Sequence, residues 1–149
     1  MSRSGSVKTY NPNPMKKHKH TLLLRLALVV ILLMHSIPGI FNNGINDFGN
    51  LYLNHAGFAP LGVPLAWAIK LSHVVCALCF LCNRYITIAG IATIFILITG
   101  IFMIHLKEGW YVVGGGRNGI EFNLLLIVVT LSVMFPNGWT KNSGIRRRR

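Results

Sequence analysis

Long apolar stretches alternate with short polar connections along this chain of 149 residues. A helix that crosses a membrane needs about 20 mostly apolar residues, because the hydrocarbon core is roughly 30 Å thick. Four stretches fit this requirement, at residues 22–40, 61–81, 86–104 and 119–135. The fourth is the shortest, and Pro136-Asn137-Gly138 provide a clear stop for it. The pattern predicts an all-α protein, a four-helix transmembrane bundle over residues 21–136.

Two features around the first stretch bear on this prediction. The stretch follows a basic segment, as a cleaved signal peptide would, but its apolar run is too long and no A-x-A-like site follows it. We therefore interpret it as a membrane span. The connection at residues 42–60 mixes asparagines with apolar side chains at positions 45, 48, 51, 52 and 58. This spacing roughly fits a short helix at the membrane surface.

Composition and charge support a membrane protein. The chain is 52% hydrophobic and 12% charged, against about 25% charged residues in a typical globular domain. Its net charge of +12 would suggest nucleic-acid binding if the basic residues were spread through the fold. They are instead concentrated in an N-terminal tail at residues 1–20, expected to be disordered, and a C-terminal tail at 137–149. We expect a lipid bilayer and no nucleic acid as partner.

The distribution of Lys and Arg also predicts the orientation. With four spans and a cytoplasmic N-terminus, the C-terminus is cytoplasmic as well. The cytoplasmic side then carries eleven Lys and Arg residues, and the outer side carries only Lys107 and Arg117. This imbalance follows the positive-inside rule. We expect a multi-pass protein of the bacterial cytoplasmic (inner) membrane.

Ionisable residues within the spans are costly and need a partner or a role. Arg25 lies close enough to the cytoplasmic end to snorkel to the interface. Lys70 lies roughly 14 Å from the outer end of its span. His73 is three residues further on and shares its helix face. Small residues at 66 and 77 on that face would allow another helix to approach closely.

The outer half of the bundle is therefore the candidate site. Glu121, the only acid in a span, is the natural partner of Lys70, with Arg117 as a competitor for the carboxylate. The candidate ligand-binding residues are His35, Lys70, His73, Arg117 and Glu121. They could form a structural polar network or a pocket for a small ligand or a quinone head group. Their spacing does not support a metal site, and no catalytic residue stands out.

Two further motifs have structural interpretations. Cys76, Cys79 and Cys82 are spaced three apart, which gives a slanting stripe on a helix rather than one line. Packing accounts for them more simply than redox chemistry does. The glycine-rich segment 114–119 lacks the phosphate-loop pattern. It fits a sharp turn, with Asn118 capping the fourth helix and Glu121 completing a capping box.

The ordered set of motifs resembles the DoxX family of small four-helix membrane proteins. His35-Ser36-Ile37-Pro38-Gly39-Ile40, the segment from Lys70 to Asn83-Arg84-Tyr85, and Gly115-Gly116-Arg117-Asn118-Gly119-Ile120-Glu121-Phe122-Asn123 carry the resemblance, which covers roughly residues 22–136. It implies a four-helix bundle and an association with redox biology. Many members of the family have a glutamate where this chain has Lys70.

These observations lead to one hypothesis and two rivals. The leading hypothesis is a DoxX-like, redox-associated subunit that interacts with a quinone and with other membrane or redox subunits. Lys70 and His73 would hydrogen-bond or protonate a quinone carbonyl, Glu121 would balance Lys70, and His35 would relay protons. The rivals are a non-catalytic membrane scaffold and a small-solute carrier, of which the carrier is disfavoured by the lack of an internal repeat.

Overall fold

A computed structural model describes residues 20–113 and 118–138. The predictions for the two basic tails and for Arg117 fall outside these residues. The regular structure in the described ranges is entirely helical. Five helices follow one another: α1 (Leu22–Phe41), α2 (an α-helical turn, Gly44–Asp47, and a π-helical segment, Phe48–Phe58), α3 (Gly62–Leu81), α4 (Ile86–Gly100, with a π-helical turn, Ile101–His105, and a last turn, Leu106–Glu108), and α5 (Ile120–Met134).

Three helices lie at the predicted apolar stretches, with bounds that agree within a few residues. By length and composition, α1, α3 and α4 are long and apolar enough to cross a membrane. Helix α5 occupies the fourth predicted stretch and ends before the predicted Pro-Asn-Gly stop, but it has only 15 residues. At 1.5 Å per residue it is about 22 Å long, which is shorter than a typical hydrocarbon core. The helix predicted in the connection at residues 42–60 is present as α2.

The four apolar helices form a closed ring. Helix α3 packs against α1 and α4, α4 packs against α5, and α5 returns to α1. Their inward side chains form one apolar core to which all four helices contribute: Leu28, Val29, Leu32, Cys76, Ala77, Phe80, Ala89, Leu97, Leu126 and Val133. Large apolar side chains such as Leu23, Met34 and Ile88 are at least two-thirds exposed on the outside. An apolar outer surface of this kind suits a lipid environment.

Helix α2 covers one end of the ring, beside the C-terminus of α1 and the N-terminus of α3. Its Ile45 and Leu53 pack with Ala66 of α3 in a second apolar cluster. The two backbones approach so closely that a Cβ on Gly49 would lie 2.5 Å from the Cα of Val63. Polar contacts reinforce this packing: Trp67 Nε1 donates to Asn46 Oδ1 at 2.9 Å, and Gly62 N donates to Asn54 Oδ1 at 3.0 Å.

At the opposite end of the ring, Arg25 points inward. The sequence predicted that it would snorkel towards water, but its side chain is only 6% exposed. Arg25 Nη1 donates to the carbonyl oxygen of Phe80 at 3.4 Å. Phe80 lies in the last turn of α3, where the helix dipole is negative and carbonyl groups lack the partner that a continuing helix would supply. Its oxygen also accepts a hydrogen bond from Asn83 N at 3.3 Å. This carbonyl end provides a local site for the guanidinium, so the prediction of snorkelling is wrong.

Candidate binding cavity

A cavity of about 750 Å³ occupies the half of the bundle next to α2. All four apolar helices and α2 contribute to its wall, and most of the lining side chains are apolar. Both π-helical segments face it, through residues such as Phe48 and Met103. π-Helical turns occur frequently at functional sites. Four basic side chains of the described residues line the cavity: His35, Lys70, His73 and His105.

Lys70 projects from α3 towards α1 and α2. Its Nζ donates to the carbonyl oxygen of His35 at 3.0 Å and lies 5.5 Å from the centroid of the Phe48 ring. The second contact has the geometry of a cation–π interaction. An ammonium group has three donors, so one hydrogen bond and one ring face leave donor capacity for a ligand in the cavity.

His35 and His73 form an edge-to-face pair on α1 and α3. Their ring centroids are 5.5 Å apart with an interplanar angle of 66°. His35 is exposed, whereas His73 is only 2% exposed. Within the described part of the chain, neither ring nitrogen of His73 has a hydrogen-bond partner. The predicted inward face is confirmed, because Ala66 and Ala77 on the same side of α3 are completely buried.

Buried polar groups in folded proteins almost always have partners, and each unsatisfied group costs about 1–3 kcal/mol. His73 therefore contributes little to stability through its nitrogens. The contacts of His73 in the described residues are therefore with the His35 ring and the cavity, not with a structural hydrogen-bond network.

Glu121 does not pair with Lys70. Its Oε1 accepts a hydrogen bond from Val112 N at 2.8 Å, and its own backbone N–H donates to Trp110 O at 3.1 Å. Glu121 is thus held by the connection between α4 and α5, and it is not among the residues that line the cavity. A backbone N–H close in sequence and the positive end of the α5 dipole stabilise the carboxylate there, so the predicted ion pair is wrong.

The start of α5 also differs from the predicted capping box. Gly119 is the N-cap and no side chain caps the helix. Ile120 N donates to Gly109 O instead. A Cβ on Gly119 would overlap the carbonyl oxygen of Tyr111, so the close approach of the connection to α5 requires glycine at this position. Asn118 contributes its backbone carbonyl to another contact rather than a cap.

His105 is a cavity residue that the sequence reasoning missed. It lies in the π-helical turn of α4, and its Nδ1 bonds to the carbonyl oxygen of Asn118. A carbonyl only accepts, so Nδ1 carries the hydrogen and Nε2 is the remaining ring nitrogen. The predicted span ended at residue 104, which placed this histidine outside the membrane. Asn123 of α5, 8% exposed, lines the same region of the cavity.

The acidic residues of the chain all lie away from the cavity. There are only three, Asp47, Glu108 and Glu121, and the cavity lining contains none of them. Asp47 Oδ1 accepts a hydrogen bond from Asn43 Nδ2 at 3.4 Å, and Glu108 is exposed at the end of α4. The described residues contain no cluster of three or more His, Cys, Asp and Glu side chains that could hold a metal ion.

None of the three cysteines lines the cavity. Cys76 is buried in the apolar core, Cys79 is half-buried and Cys82 is exposed, and all three are free thiols. This graded burial confirms the slanting stripe predicted from their spacing. The position of Cys76 among apolar side chains supports the interpretation of it as a packing residue.

Comparisons with known proteins gave no relative. No family model matches the chain, and no curated protein or solved structure matches it. The function is therefore argued from the cavity and the sequence motifs.

Proposed function

We propose that this chain is a four-span protein of the bacterial cytoplasmic membrane that binds a quinone-class molecule, as a DoxX-like, redox-associated subunit. The carrying observation is the cavity of about 750 Å³ in which Lys70 faces mostly apolar walls. Small-molecule pockets span about 300–1,000 Å³ and combine apolar walls with a few polar groups that orient the ligand. A quinone matches this pattern, since its ring is apolar and its carbonyl oxygens accept hydrogen bonds.

The geometry favours Lys70 and His35 as the groups that contact the head group. Lys70 has donor capacity beyond its bond to His35 O, and the His35 side chain is exposed, whereas that of His73 is covered. His73 then supports the His35 ring from behind through the edge-to-face contact. Neutral or protonated imidazole can hold a proton near a carbonyl oxygen at physiological pH.

Binding measurements on the purified protein test this proposal. We expect Lys70→Ala and His35→Ala each to weaken binding of a quinone analogue at least about tenfold, the effect of losing one to two kcal/mol of hydrogen bonding. Arg84→Ala is the matched control, because Arg84 lies beyond α3, over the ring of Tyr85. Unchanged affinity in folded Lys70→Ala and His35→Ala variants would remove both residues from the site.

Membrane topology has a test of its own. In the proposed four-span arrangement, α5 crosses the bilayer and both termini of the chain are cytoplasmic. The contacts of α5 with α1 and α4 within the ring support its crossing. In a cysteine-free background, Asn137→Cys, just beyond the end of α5, should react with an impermeant maleimide only from the cytoplasmic side. Lys107→Cys should react only from the outer side. Labelling of both from one side would contradict the arrangement.

A further inference from the structure

The cavity lacks a negative charge to balance its lysine. Among the described residues, Lys70 and three histidines line it, and no carboxylate does. The three acids of the whole chain are placed elsewhere, at the start of α2, at the end of α4 and at the start of α5. The chain therefore has no residue that could supply an internal counter-charge to the cavity without rearrangement.

The Lys70 ammonium makes this imbalance costly. Its partners are the neutral carbonyl oxygen of His35 and the face of the Phe48 ring. Lys70 is half-buried, and an ammonium partly withdrawn from water is destabilised unless an opposite charge accompanies it. Glu121, the acid that the sequence predicted as the partner of Lys70, accepts a hydrogen bond from Val112 N instead.

From this we infer that the cavity takes an anionic head group, a singly charged oxyanion on an apolar body, with Lys70 as its counter-ion. The inference rests on the proposed function in that it assigns the ligand of the same cavity. Two kinds of molecule carry this chemistry: a quinone with an ionised ring hydroxyl, and a fatty carboxylate from the bilayer. A neutral quinone and an anion can both accept a hydrogen bond from the ammonium, but only the anion also neutralises its charge, and this attraction between opposite charges favours the anion.

Three probes separate these sources, each titrated into the full-length protein in a non-ionic detergent at neutral pH. They are 2-hydroxy-1,4-naphthoquinone, which is anionic, 2-methyl-1,4-naphthoquinone, which is neutral and similar in shape, and palmitate. We expect the hydroxy compound to bind about tenfold or more tightly than the methyl compound, because only its negative charge is attracted to the Lys70 ammonium. Lys70→Gln should abolish this preference, and Lys70→Arg, which keeps the charge, should retain it.

Each outcome decides between the two proposals. Equal affinities of the two naphthoquinones for the unmodified protein would overturn the anionic ligand and leave the quinone proposal in place. Binding of palmitate without either naphthoquinone would support the oxyanion and overturn the quinone. Binding of none of the three would overturn both. If Lys70→Gln does not fold, the affinities of the three probes for the unmodified protein and for Lys70→Arg still give these outcomes.

Discussion

Replacing His73 by phenylalanine should make the ligand-free protein more stable. The imidazole is 2% exposed, and both of its nitrogens are buried without a partner. Phenylalanine has nearly the same flat shape, so it can keep the edge-to-face contact with His35. The adjoining cavity gives room for the slightly larger ring.

The expected size of the effect follows from the unsatisfied nitrogens. A buried polar group without a partner costs about 1–3 kcal/mol, and apolar replacement of the same shape removes that cost. We therefore expect His73→Phe to raise the free energy of unfolding by about 1–3 kcal/mol.

Reversible unfolding by titration of a denaturing detergent, followed by far-UV circular dichroism, measures this change without added ligand. Thr130→Val is the matched control, because Thr130 is equally buried but its hydroxyl donates to Leu126 O at 2.7 Å. The control should gain no such stability. A loss of more than about 1 kcal/mol in His73→Phe would show that the imidazole is structurally bonded, and would refute the reasoning.

Three further predictions concern other parts of the fold. Gly49→Ala should lower the free energy of unfolding by about 1–3 kcal/mol in the same titration, because the new methyl overlaps the α3 backbone. Gly100→Ala is the control and should show no loss, because its Cβ would lie 3.8 Å from its nearest neighbour. Glu121→Gln should keep the affinity for a quinone analogue within about twofold of the unmodified protein's, because this side chain does not line the cavity. A twofold change is well below the contribution of one hydrogen bond, whereas a tenfold loss would show that Glu121 belongs to the site. In the folded protein, a maleimide should modify Cys82 quickly and Cys76 slowly, because Cys82 is exposed and Cys76 is buried. Mass spectrometry of the labelled peptides gives the order of modification, and the reverse order would contradict this prediction.

The positions of the helices were predictable because they depend on local composition. Twenty-residue apolar runs determine α1 and α3, and the i, i+3 spacing of Lys70 and His73 was enough to place them on one buried face. The short helix α2 was predicted only roughly, since most of it is π-helical. A π-helical turn changes which side chains share a face, so a period of 3.6 does not describe it.

The partners of the charged residues were not predictable, because they are backbone groups. The sequence shows which acids and bases exist, and it suggested that Lys70 would meet Glu121. In the fold, Lys70 bonds to a carbonyl of α1 and Glu121 bonds to an N–H of the connection before α5. Arg25 likewise bonds to a carbonyl at the end of α3. Such groups are present at every position, so no residue pattern marks the one that is used.

Photo-crosslinking in the membrane tests the central claim most directly. Membranes containing the full-length protein would be irradiated with a photoreactive naphthoquinone, and the labelled residues identified by mass spectrometry. If the cavity binds a quinone-class molecule, labels will concentrate on its lining, around His35 and Lys70, and excess unlabelled naphthoquinone will suppress them. Labels confined to outward-facing residues such as Leu23 and Ile88, with no suppression, would contradict the account.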